Sequence, residues 1–250
     1  MPGYLESQLA ILGGDPRLAL VQDGMRTFED GPDGRRKLLK EYVPRKPLTV
    51  ENLLAGYDPE VVIFPSAAVV RLEALRSSGL FAESLWVAED LDLWIRLAGN
   101  GAKLGLNPAC LALRRKHPES LTAKGSAMLA CLGKVFDRAE STFELSPQAR
   151  EAIRRRRAAI QALTDLVEGR RELAAGRVEE ARRRLGGVCS FYKRFDPRVD
   201  VWSAYQSANW EQMQSGGPAR PHARKLSLAV WALRVAPRLT EAAVKRRRSL

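Results

Sequence analysis

Cysteine is scarce in this chain: Cys110, Cys131 and Cys189 are three in 250 residues, widely spaced and in no Cys-x-x-Cys arrangement. That excludes a disulfide framework and a zinc site of the usual spacing, and makes a reducing compartment the expected setting. A secretory leader is lacking as well, because the first twenty residues hold acids, Gly13-Gly14 and Pro16 where a basic cap and an apolar run would stand. No stretch approaches the roughly 18–20 apolar residues that cross a bilayer. The longest, Leu226 to Val235, is too short and carries Arg234. These absences predict a soluble or peripheral protein of the cytoplasm, peripheral at the inner face of the membrane if it touches one.

What is present is a chain long and apolar enough, at 45% hydrophobic residues, to bury a full core. Its net charge of +12 is unevenly placed. Residues 1–122 hold 15 Lys and Arg against 16 Asp and Glu, whereas residues 123–250 hold 26 against 13. The asymmetry predicts two parts with different surroundings, the second basic enough to be drawn to anionic lipid, nucleic acid or an acidic partner. Against nucleic acid, the aromatic residues are not interleaved with the basic clusters as stacking recognition needs. Trp231, Leu233 and Val235 beside Lys225, Arg234 and Lys245–Arg248 suit contact with an anionic membrane surface instead, and a helical module that binds a partner protein is the third possibility.

One segment concentrates chemistry. Trp86-Val87-Ala88-Glu89-Asp90-Leu91-Asp92-Leu93-Trp94-Ile95-Arg96-Leu97 places three carboxylates within four residues at the start of an amphipathic helix. The positive amino end of a helix favours acids, and capping accounts for one of them. Three acids flanked by Trp86 and Trp94 also suit a site wall where a hydroxyl loses its proton beside an apolar or sugar-stacking surface.

Along the chain, residues 4–12 place Tyr4, Leu5, Gln8, Leu9 and Leu12 at helical spacing, ending in Gly13-Gly14. Leu18 to Gln22 reads as a buried strand, and Met25 to Pro47, charged and rich in Gly and Pro, as a long surface loop. Thr49 caps a short helix, and Val61 to Phe64 reads as a buried strand broken by Pro65. A strand over 66–70, a helix over 71–78 stopped at Gly79, the helix 90–98, and strands over 103–106 and 110–113 complete an α/β layer pattern. Beyond Leu121 the chain turns helical, with a hairpin of 148–170 and 177–185 about Ala174-Ala175-Gly176. The expected divisions are therefore 1–122 (α/β), 123–213 (helical), a Gly- and Pro-rich linker at 214–224, and a basic amphipathic helix at 225–250.

Ser66, Val70-Arg71-x-Glu73-x-Leu75, Gly79-x-Phe81-x-Glu83, Glu89-Asp90-x-Asp92-Leu93-Trp94-x-Arg96-Leu97-Ala98, Gly101, Pro108 and Arg115-x-His117-Pro118-x-Ser120 together carry a resemblance. In this order they resemble the acceptor-side half of family 2 glycosyltransferases of the GT-A fold, over about residues 3–122. The resemblance implies a partial GT-A-like mixed sheet with flanking helices, followed by an all-α C-terminal region. It implies transfer of a sugar from a nucleotide-sugar donor to a glycan or lipid-linked acceptor, usually with inversion, with a divalent metal (Mg or Mn) on the donor diphosphate. Asp90 would be the base that takes the acceptor hydroxyl proton, and Glu89 and Asp92 would orient the acceptor or cap the helix. Arg115 and His117 would lie near the donor phosphates, with His117 the one candidate metal contact; a loop histidine without such a role is the plainer alternative. Trp94 would belong to the core.

The resemblance also has gaps. Ala82 stands where the family commonly has Asp. Met1-Pro2-Gly3-Tyr4-Leu5-Glu6 resembles the segment just after the family's metal-binding Asp-x-Asp, so the nucleotide-binding half and that motif are expected to lie outside this sequence, on an upstream segment or a protein partner. The other possibility is a catalytically incomplete remnant that acts as a binding or scaffold module through its basic helical half.

Overall fold

A computed structural model of the chain describes residues 1–31, 33–56, 58, 60–116 and 125–194. They form a mixed α/β structure with four strands and seven helices, divided into two compact units, Met1–Arg154 and Arg155–Leu250. The linker 214–224, the basic segment 225–250 and His117 lie outside the described residues. Among the described residues no helix is long and apolar enough to cross a membrane.

The sheet of the first unit is organised by one long strand, β1 (Leu18–Asp30). β4 (Lys103–Arg115) runs parallel to it from Leu18 to Phe28. β2 (Arg36–Tyr42) and β3 (Ala68–Val70) pair antiparallel with its second and first parts. Each strand has only two hydrogen-bonding edges, and β4 occupies one along nearly the whole of β1. β2 and β3 must therefore share the other, end to end, with Asp23 and Gly24 at the junction.

The expected loop from Met25 to Pro47 is replaced by this hairpin of β1 and β2. Its polar composition is that of a sheet edge, and cross-strand pairs hold it: Arg26 donates to Glu41 at 2.7 Å and Lys37 lies 3.3 Å from Glu29. Arg36 and Lys40 stack over the Phe28 and Tyr42 rings. The glycines mark the turn rather than a loop, with Gly34 at φ 72° and the Gly31 N–H donating to the Arg35 carbonyl. The expected strand at Val61–Phe64 is also absent. Val61 and Ile63 are buried, yet the segment pairs with no strand and leads into a 3-10 turn at Pro65–Ala67. An apolar run reports burial, not sheet membership.

The two expected strands at 103–106 and 110–113 are one strand with a bulge. Asp23 faces Asn107 and Met25 faces Ala112, so β4 carries extra residues at that point. Both Leu111 and Ala112 N–H groups donate to Asp23 Oδ2, at 2.8 and 3.0 Å. Cys110 sits in the bulge at φ 54°, and a Cβ on Gly24 would fall 2.2 Å from its Sγ. Only glycine fits at position 24.

Helix α1 (Tyr4–Gly14) covers one sheet face, with Leu12 and partly buried Ile11 against Leu18, Val21 and Val69. Gln8, fully buried, donates to the Val21 and Ala67 carbonyls. The other apolar residues of α1, Leu5 and Leu9, face outward. α2 (Val50–Ala55) is capped by Thr49 as expected, and α3 (Leu72–Ser77) ends before Gly79 at φ 80°. α2 and α5 (Gly125–Thr142) pack on α4 (Glu89–Gly99), which buries Leu93, Trp94, Ile95 and Leu97. α5 thus belongs to the first unit, which extends past residue 122.

In the second unit, the later part of α6 (Pro147–Ala174) and α7 (Val178–Arg194) form the helical hairpin. Leu163, Ala181, Leu185 and Val188 are buried in it, with Leu166 partly so. Gly169 allows close approach, since a Cβ there would lie 2.9 Å from the Leu185 side chain.

Candidate active site

α4 begins abruptly. Ala88, the residue before it, takes a left-handed conformation at φ 60° and offers no side-chain cap, so the acids of the first turn stand at an uncapped, positive helix end. Of the three, Glu89 and Asp90 are partly buried and Asp92 is buried.

Asp90 Oδ1 accepts from the Leu91 N–H at 2.7 Å. Among the described residues no cation pairs with its carboxylate. Burial is the largest influence and raises its pKa to about 6; the Leu91 N–H works against this and the Glu89 charge adds to it. At neutral pH such a carboxylate is ionised yet more basic than an ordinary aspartate. It can accept a proton from a bound hydroxyl.

Asp92, two residues on, is used differently. Arg96, one turn later, donates to Oδ2 at 2.8 Å, and Arg138 of α5 donates to Oδ1 at 2.8 Å. Arg96 also donates to the Ser78 carbonyl and, at 2.6 Å, to the Leu80 carbonyl. Asp92 is thus the hub that ties α4 to α5 and, through Arg96, to the segment after α3. The spacing of Asp92 and Arg96 makes that pair readable from sequence. Arg138, 46 residues away, is not.

Glu89, Asp90 and Asp92 are brought together in one helical turn. Arg115 stands elsewhere, at the end of β4, exposed and 3.3 Å from Asp30. Ser66 is exposed in the 3-10 turn, and Trp94 is buried in the core with its indole N–H unpaired among the described residues. Sequence reasoning passed over Asp23, a fully buried acid whose second oxygen has no partner among the described residues. The signal was an aspartate inside the apolar run Leu18–Met25. Its bonds to the bulge of β4 give it a structural task.

Among the described residues no group of three His, Cys, Asp or Glu side chains is arranged to hold a metal ion, and His117 is not among those residues. Comparisons with protein-family models, with curated proteins and with solved structures gave no match.

Proposed function

We propose that the chain is the acceptor side of a glycosyltransferase of the family 2, GT-A type, which passes a sugar from a nucleotide-sugar donor to a glycan or lipid-linked acceptor. The observation that carries this reading is Asp90: a carboxylate at a helix start, partly screened from water, without a counter-ion among the described residues, and raised to about 6. In this role it takes the proton of the acceptor hydroxyl as that oxygen attacks the anomeric carbon and the sugar–phosphate bond breaks, the nucleoside diphosphate leaving with the electron pair. Asp92 acts by position, holding the Arg96 and Arg138 guanidinium groups that fix the helix against its neighbours. Glu89, beside Asp90, favours through its charge the protonated form that results from the transfer.

The donor side lies, in this reading, on polypeptide other than the described residues, and the divalent ion on the diphosphate is held there. Two surfaces support an incomplete sheet. β3 pairs with β1 and with no other strand among the described residues, leaving one edge open. Leu5 and Leu9 of α1, which flank the buried Gln8 and Leu12 on the helix, are apolar and exposed.

The test is nucleotide-sugar hydrolysis or transfer by this chain together with any upstream coding sequence that supplies an Asp-x-Asp segment. Asp90→Asn is expected to lower the rate by about 10²–10⁴-fold, the usual contribution of a positioned base. Full activity in that variant would remove Asp90 as the base.

A further inference from the structure

Thr27 of β1 is buried at 6% exposure, and its hydroxyl has no hydrogen-bond partner among the described residues. A hydroxyl shut off in this way gives up its bonds to water without replacing them, which costs stability until another group completes it. Valine, of the same shape and well suited to a strand, fills such a place without that cost.

The surroundings of the hydroxyl are cationic and aromatic. Thr27 pairs with Lys40 of β2 on one side and with Arg114 of β4 on the other, and side chains of paired residues stand on the same face of the sheet. Contacts join the two cations around it. Lys40 Nζ lies 4.5 Å from the centre of the Tyr42 ring, Tyr42 meets Phe64 edge-on at 5.1 Å, and the Arg114 guanidinium lies 5.7 Å from the centre of the Phe64 ring. Phe64 also packs against the cluster of Met25, Ala67 and Ala112, and Met25 precedes Thr27 on the same face. Lys40, Tyr42, Phe64 and Arg114 thus form a rim about Thr27, and all four are partly exposed.

Among the described residues the acids nearby are already engaged. Glu29, two residues on along the same face, lies 3.3 Å from Lys37. Asp23 accepts from the bulge of β4, while Asp30 and Glu41, on the other face, pair with Arg115 and Arg26. Asp58 and Glu60, on the segment before Phe64, hold Lys46. Of the other cations, Arg36 stacks on Phe28 and Lys116 follows two residues after Arg114. Among the described residues Lys40 pairs with no carboxylate. Arg114 is engaged elsewhere as well, but a guanidinium carries five N–H donors and serves more than one acceptor. An ammonium, a guanidinium and a hydroxyl call for several acceptor oxygens and more than one negative charge. A carboxylate fills one side of that demand, whereas a phosphate monoester, with three acceptor oxygens and a charge of about −1.5 to −2, fills all of it.

We propose that Lys40, Arg114 and Thr27 bind a phosphate monoester, its oxygens set on the ammonium and guanidinium groups and one of them accepting from the Thr27 hydroxyl. Such binding requires neither a sugar donor nor Asp90. The full chain is titrated by calorimetry with glycerol 3-phosphate and with acetate, and is sedimented with phosphatidylcholine vesicles with and without phosphatidic acid. Glycerol 3-phosphate binds at least about tenfold more tightly than acetate, the difference that one further charge-assisted contact makes. Vesicle binding that needs phosphatidic acid, without binding of glycerol 3-phosphate, assigns the phosphate to a lipid head group instead of a small molecule. Lys40→Met and Arg114→Met each weaken whichever phosphate binds by about tenfold or more. If Arg114→Met fails to fold, Lys40→Met, on the outer strand, carries the comparison. Thr27→Val weakens phosphate severalfold and leaves the urea midpoint of the unliganded chain unchanged or raised, since the hydroxyl it removes is unpaired there. The proposal is overturned if neither phosphate binds, if acetate binds as tightly, or if Lys40→Met leaves phosphate binding unchanged. A lowered urea midpoint in Thr27→Val with phosphate binding intact also overturns it, because the hydroxyl then serves the fold alone.

Discussion

Two stretches of this chain gather charged side chains, the amino end of α4 and the hairpin of α6 and α7, and they dispose of them in opposite ways. In the hairpin, Arg182 pairs with Glu179, and Arg183 and Arg184 with Glu180, three or four residues apart along one helix and exposed or half-exposed. Arg184 also reaches Asp165 on the facing helix at 3.6 Å. In α4, Asp92 is 2% exposed and bridges two arginines, while Asp90 has no cation among the described residues. The residue types are the same in both places. What differs is burial and whether the partner is local, and that difference separates a solvated helix face from a group able to do chemistry.

The comparison is broken most easily at Asp92. Asp92→Asn leaves Arg96, itself mostly buried, without its counter-charge, and is expected to cost about 3–5 kcal/mol in urea unfolding. A loss below about 1 kcal/mol would place Asp92 with the surface pairs. A smaller effect is expected from pH. Asp90 is raised from 3.8 to about 6, so the folded chain holds a proton there that the unfolded chain has released. Its contribution is greatest below about pH 4 and is lost as pH rises through 6, a fall on the order of 3 kcal/mol. In Asp90→Asn that part of the stability–pH curve should flatten; an unchanged slope would mean that the acid is not held out of water. Smallest is Glu180→Gln in the hairpin, at roughly 0.2–1 kcal/mol, and 1 M salt should erase it while leaving the Asp92 effect largely intact. Equal salt sensitivity at the two places would end the distinction.

Much of the helical framework was legible because local signals fix it. Thr49 as a cap, Gly79 after α3 and the Gly99-Asn100-Gly101 close of α4 each act within a few residues. The β1–β2 hairpin was hidden because its stability comes from pairs across strands, such as Arg26 with Glu41, so that each strand taken singly looks like a charged loop. Val61 and Ile63 misled in the other direction, since contact with the core needs no ladder. At the site, the three acids and the Asp92–Arg96 spacing were visible in sequence. The exposure of Leu80, Phe81 and Trp86 and the reach of Arg138 were not, because both depend on which surfaces the fold leaves uncovered and which distant helix it brings alongside.

The end-to-end placement of β2 and β3 along one side of β1 leaves Asp23 and Gly24 as a seam in the sheet. Hydrogen bonds on that side stop at the seam, so β2 can peel away from β1 without unzipping Leu20–Gln22 from Val70–Ala68. Deuterium should accordingly enter the amides of Lys37–Glu41 long before those of Leu20 and Val21, and the molecule should breathe from its charged rim while the stretch beneath α1 stays shut.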